Sequence, residues 1–117
     1  MNSSERAAIA HLGESETSIA VLRNHLREIL DGEAFRGSPR SAQFLTYIVD
    51  QALAGRFDFL KERMIGIELF GRSPSYDTSE DAIVRVTASD VRKRLLQHYG
   101  KYGSASEFRI ALPLGAY

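Results

Sequence analysis

The sequence predicts a mainly α-helical domain that closes on one short C-terminal β-hairpin. Three observations carry that expectation. Four segments place apolar residues at helical period. Most of these segments begin or end on residues that start or stop helices. Only one short stretch near the C-terminus, Glu107 to Leu112, reads as a strand, followed by a Pro113-Leu114-Gly115 turn.

The first firm helix is expected over about residues 17–31. Ile19, Leu22, Leu26, Ile29 and Leu30 form its buried stripe, and Gly32 ends it. A second helix starts at Ser38 as N-cap, with Pro39 in the first helical position, where its missing N–H costs nothing. It runs to Ala54 and stops at Gly55. Phe44, Leu45, Ile48, Val49, Ala52 and Leu53 cover more than half its circumference, as expected of a central helix. A third helix is expected from about Phe59 to Phe70, stopped by Gly71. Met64, Ile65, Leu69 and Phe70 are its core residues, and Gly66 inside it implies close packing.

The most informative stretch is Thr78 to Gly100, TSEDAIVRVTASDVRKRLLQHYG, read as one long helix. Val84, Ala88, Val91, Leu95 and Tyr99 stack on one face. Ala82, Val86, Ser89, Lys93 and Gln97 point the other way. Arg85 and Arg92 flank this outer face on one side, Asp90 and Arg94 on the other. Thr78 serves as N-cap with Asp81 in a box-like position, and Gly100 serves as the left-handed stop. Residues 1–14 read as a flexible N-terminus, and 15–117 as one domain. Ala116-Tyr117 begins a returning strand at the point where the sequence stops, which suggests a piece of a longer protein.

Composition excludes several classes of function. The 117 residues hold no cysteine, so there are no disulfides or thiolate metal sites, which fits a reducing, cytoplasmic setting. No apolar run approaches the length of a membrane span, and no membrane contact is expected. There is no G-x-S-x-G, phosphate-loop, dinucleotide or H-E-x-x-H pattern, and His11, His25 and His98 are widely spaced. No enzyme activity and no cofactor is implied. Net charge is zero, yet Arg85 to Lys101 contains five cations and one anion, Asp90. One basic face on an otherwise acidic body has this signature.

The order helix, loop, long basic helix, polar gap and hairpin resembles the OmpR/PhoB-type DNA-binding domains shared by ToxR- and CadC-like bacterial regulators. Ile65, Leu69, Phe70 and Gly71 match the end of the first helix of that family's motif. Val84, Val86, Ala88, Val91, Arg92 and Leu95 match its recognition helix, and Leu112 and Tyr117 match its wing. The match spans about residues 37–117. The block IVRV…VRKRLL followed by the LP-x-G-x-Y wing also looks like an N-terminal module of some larger bacterial proteins. The resemblance implies a winged helix-turn-helix with an extra N-terminal helix at 17–31 and a C-terminal β-hairpin wing. It implies transcription regulation through double-stranded DNA, with the long helix in the major groove; the modest charge of one domain adds that useful affinity would need a homodimer on two half-sites.

The DNA-facing positions carried over are Ala82, Ile83, Val86, Thr87, Ser89, Asp90, Arg92 and Lys93. The resulting candidate site is Arg85, Val86, Thr87, Ser89, Arg92, Lys93 and Arg94. Val86 suits a thymine methyl, Thr87 and Ser89 suit base edges or phosphate, and Arg92 and Lys93 suit phosphates. The chain departs from the family at Asp90, where a cation is common, and at the uncharged wing tip Pro113-Leu114. The alternative expectation is a protein-contact or dimerisation module without DNA binding, anchored by Val86 and Leu96.

Overall fold

A computed structural model describes residues 16–102 and residue 110. Among the described residues four α-helices follow one another: α1 (Glu16–Asp31), α2 (Pro39–Leu53), α3 (Glu62–Glu68) and α4 (Ile83–Tyr102). Short 3₁₀ turns, Glu33–Phe35 and Phe57–Leu60, precede α2 and α3.

The first helix buries Leu22, Leu26 and Ile29 as its periodicity predicts, together with His25. It stops where Gly32 turns extended, at φ −79° and ψ 174°. The 3₁₀ turn then drives Ala34 and Phe35 into the core. Gly37, at φ +80°, reverses the chain into α2. Pro39 takes the first helical position as expected. The side chain of Ser38 makes no capping bond; its carbonyl accepts from the Ala42 amide at 3.1 Å.

Helix α2 is the centre of the fold. Phe44, Leu45, Ile48, Val49 and Ala52 are buried, and they share one core with Leu26, Ile29, Ile65, Val84, Ala88, Val91, Leu95 and Tyr99. Each of these side chains removes roughly 1.5–3 kcal/mol worth of apolar surface from water, alanine less. This core holds α4 against α2 along most of its length.

The expected third helix is shorter than its apolar pattern suggests. Lys61 is extended, at φ −79° and ψ 146°, and separates the 3₁₀ turn from α3. Arg56 lies over the Phe59 ring, 4.0 Å from its centroid, and the Tyr47 hydroxyl donates to the Phe59 carbonyl at 2.9 Å. These contacts hold residues 57–60 in a turn of their own. Gly66 does permit a close approach: a Cβ there would lie 2.2 Å from Tyr76 Oη.

The connection from Leu69 to Ala82 is pinned by arginines. Arg63 Nη1 donates to the Tyr76 carbonyl at 2.7 Å and the Pro74 carbonyl at 3.2 Å. Arg72 Nε donates to Asp81 at 2.6 Å, and the Arg72 Nη1 to the Phe70 carbonyl at 3.1 Å. Gly71, at φ +66°, permits the reversal after α3, where the Arg72 amide reaches back to the Gly66 carbonyl at 3.0 Å.

The long helix differs from expectation at both ends. It begins at Ile83 rather than Thr78. The Asp77 carboxylate accepts from the Ser79 amide at 2.9 Å and hydroxyl at 2.6 Å, which holds residues 78–80 in a turn. Asp81 then accepts from the Ile83 amide at 3.2 Å and takes the capping role assigned to Thr78. These two aspartates compete with helical bonding at their own positions, which is why the helix starts late. Gly100 is not in the left-handed region, and the helix continues through it to Tyr102.

The winged fold class is corrected. Among the described residues there is no strand. The expected hairpin and the matched Leu112 and Tyr117 lie, with the sole exception of Ile110, outside the described residues. Ile110 itself is not in a strand. Its amide donates to the Tyr99 hydroxyl at 2.7 Å, so α4 takes the bond that a strand partner would need. The expected flexible segment 1–14 also lies outside the described residues.

Candidate nucleic-acid interface

The core fixes which side of α4 faces solvent. Val84, Ala88, Val91, Leu95 and Tyr99 are buried, as their spacing predicts. In order around the opposite arc come Arg92, Arg85, Leu96, Ser89, Lys93, Val86 and Gln97, placed by the helical period. All are exposed except Arg92, which is half-buried.

The candidate residues divide into three groups. Val86, Ser89 and Lys93 stand on the solvent arc. Lys93 makes no ion pair with any described residue. Arg85 is exposed and already engaged: it pairs with Glu62 of α3, and its Nη2 donates to the Thr78 carbonyl at 2.8 Å. Arg92 sits on the same flank. Thr87 and Arg94 do not belong to the surface expected of them. Thr87 is 2% exposed, and its hydroxyl donates to the Ile83 carbonyl at 2.7 Å. A threonine four residues beyond a carbonyl satisfies itself within the helix, and it has no group left to offer a base.

Arg94 is a fastener. Its Nε donates to Asp90 at 2.6 Å, and its Nη1 to the Ala34 carbonyl at 2.7 Å. Asp90 also accepts a hydrogen bond from the Ser41 hydroxyl in the first turn of α2. The hydrogen bond from Ser41, then Arg94, hold the Asp90 carboxyl below the usual carboxylate range. A cation at this position would have no acceptor role towards Ser41, so the departure from the resembled pattern has a structural use. Two turns further, Lys101 donates to Glu33 at 2.8 Å, and this bond lowers the Glu33 carboxyl.

A second polar cluster joins α1 to α4. His25 Nε2 lies 2.9 Å from the Tyr99 hydroxyl, and the His98 ring meets Tyr99 edge-on at 5.1 Å. Both histidines are buried, and burial lowers the pKa of each. The Tyr99 hydroxyl accepts from the Ile110 amide, and its own proton suits the Nε2 of a neutral His25. Among the described residues no group of histidine and carboxylate side chains is placed to hold a metal ion. No described helix is long and apolar enough to cross a membrane.

The Ser41–Asp90 link was invisible in the sequence, since its partners are 49 residues apart. The Asp90–Arg94 half had a signal in its i,i+4 spacing. Searches of the chain against protein-family models, curated proteins and solved structures find no match.

Proposed function

We propose that this domain binds double-stranded DNA by laying the outer arc of α4 in the major groove. One observation supports this above the others. Arg85, Arg92 and Lys93 share that arc with Val86, Ser89 and Gln97, while the helix's one carboxylate, Asp90, is turned to its flank and matched by Ser41 and Arg94. A helix about 10–12 Å across with its side chains fits a groove about 12 Å wide. The resemblance of residues 65–71 and 84–95 to OmpR/PhoB-type regulators supports the same assignment.

Phosphate contacts give affinity without sequence information, and the apolar and hydroxyl groups between them read bases. With Arg94 committed to Asp90 and Ala34, Lys93 and the two flank arginines, Arg85 exchanging Glu62 for phosphate, supply two or three phosphate contacts. Counterion release then gives log K against log salt a slope of about −2 to −3. Such a domain binds weakly alone, and useful affinity needs two copies on half-sites about one helical turn apart. Titration of a labelled duplex at several salt concentrations tests this. The expected result is weak, salt-dependent binding that Lys93→Ala reduces by about one unit of slope on every sequence. Absence of binding at low ionic strength would refute it.

A second reading has its own observation. Val86 is 60% and Leu96 74% exposed on the same arc. Apolar side chains this open on one helix suit a protein partner or a second copy. Under that reading Leu96→Ser weakens self-association or partner binding, and duplex DNA gives no signal.

A further inference from the structure

We infer that the DNA-contacting surface extends beyond α4 onto the turn that leads into α2 and the first turn of that helix, and that Arg36 and Arg40 contact the phosphate backbone there. This rests on the DNA reading of α4. A helix seated in the major groove has a strand on each side, so it needs cations on both flanks. On one flank α4 supplies Arg85 and Arg92. Towards the other it supplies Lys93, and then the cationic series on the helix is broken by Asp90.

Asp90 is the residue that brings the neighbouring turn in. It binds Ser41, which directly follows Arg40. Arg94, one helical turn along, binds the Ala34 carbonyl, two residues before Arg36. The Arg36–Arg40 turn is therefore fastened at both ends to the part of α4 that carries Lys93. Ser38, within this turn, is anchored in turn by its amide to the Phe35 carbonyl at 3.2 Å, with Phe35 itself in the core.

Arg36 and Arg40 are both exposed, and their guanidinium groups make no hydrogen bond or ion pair with a described residue. Two carboxylates beside the turn are already matched, Asp90 by Arg94 and Glu33 by Lys101. A rigid turn with two open arginines, beside a helix whose own flank lacks them, fits a polyanion that runs past the helix.

The test uses the full chain and a labelled mixed-sequence duplex of about 20 base pairs, two helical turns. Each phosphate contact contributes about 0.9 to the salt slope. Arg36→Ala and Arg40→Ala should each lower the slope by about one unit and weaken binding roughly five- to tenfold at 0.1 M salt. Base preference should stay unchanged, because phosphate carries no sequence information. Arg56→Ala is the control. It is exposed beyond the far end of α2, about 20 Å away, and should leave the slope unchanged. Thermal melts of the Arg36 and Arg40 variants should match the parent, as exposed substitutions do. If Lys93→Ala lowers the slope while the Arg36 and Arg40 changes behave like Arg56→Ala, the surface ends at α4 and the extension is wrong. If the parent protein binds no duplex at low salt, the DNA assignment itself falls, and this extension with it.

Discussion

Replacing Asp90 by alanine tests the fastener between α2 and α4. The change removes the acceptor for Ser41 and one of the two acceptors for Arg94. Ser41 is 2% exposed, so its hydroxyl is left in a buried site with no partner, at a cost of about 1–3 kcal/mol. The Asp90–Arg94 pair is itself an i,i+4 pair open to solvent on one side, and screening leaves it about 0.3–0.5 kcal/mol. Together these give a destabilisation of roughly 1.5–3 kcal/mol. A domain of this size loses about 4–8 °C in Tm per kcal/mol, so the melting temperature should fall by on the order of 10 °C. Thermal and urea melts followed by circular dichroism measure it. Ser41→Ala supplies the second half of a double-mutant cycle. Removing both partners leaves no stranded hydroxyl, so the double variant should be little worse than Asp90→Ala alone. Additive losses, with coupling under about 0.5 kcal/mol, would show that the two side chains do not act as a pair.

Three other outcomes follow from the packing. Leu95→Ala should cost about 2–5 kcal/mol in urea melts, because Leu95 is buried against the α2 core, while Lys93→Ala should stay within about 0.5 kcal/mol; equal losses would invert the two faces of α4. Gly66→Ala should destabilise by about 1–3 kcal/mol despite alanine's better helix propensity, because the new Cβ meets Tyr76 Oη at 2.2 Å and Cζ at 2.6 Å; a stabilised variant would mean that Tyr76 does not pack there. Because burial lowers both His25 and His98 below their ordinary 6.5, the unfolded chain takes up protons first as pH falls. Their contribution is therefore complete above about pH 6.5 and is lost as pH falls through the folded values, and a Tm that stayed flat from pH 7 to 5 would refute their burial as neutral groups.

The helical part of the fold was legible because its signals are local. Stripes such as Val84, Ala88, Val91 and Leu95 need only a period, and Gly55 and Gly71, at φ +72° and +66°, end their segments as glycine allows. The errors arose where local signals compete or where a segment needs a distant partner. Asp81 looked like the box-like partner of an N-cap at Thr78, and Asp77 carried no signal of its own. Their side chains instead take the amides of Ile83 and Ser79, so the helix starts at Ile83. Lys61 breaks the third helix although the apolar pattern runs across it. The strand expected around Ile110 had the right alternation, but alternation does not supply a hydrogen-bonding partner. The Ile110 amide goes to Tyr99.

The candidate site was legible to a lesser degree, for a reason that bears on its strength. Counting charges from Arg85 to Lys101 finds five cations on one helix. Whether each is available depends on groups far away in the chain. Arg85 meets Glu62, 23 residues off, Arg94 meets the Ala34 carbonyl, 60 residues off, and Lys101 meets Glu33, 68 residues off. None of these pairings has a periodic signature. Their effect is to divert part of the basic charge of α4 into holding the 3₁₀ turn and α3 against it. The same diversion turns Asp90 from an apparent obstacle to phosphate into the group that positions the Arg36–Arg40 turn. The cation count from Arg85 to Lys101 therefore overstates what α4 itself can offer a polyanion and overlooks what its neighbour adds. The salt slope separates the two contributions: α4 alone gives about −2 to −3, and two further phosphate contacts from the turn would bring it to about −4 to −5.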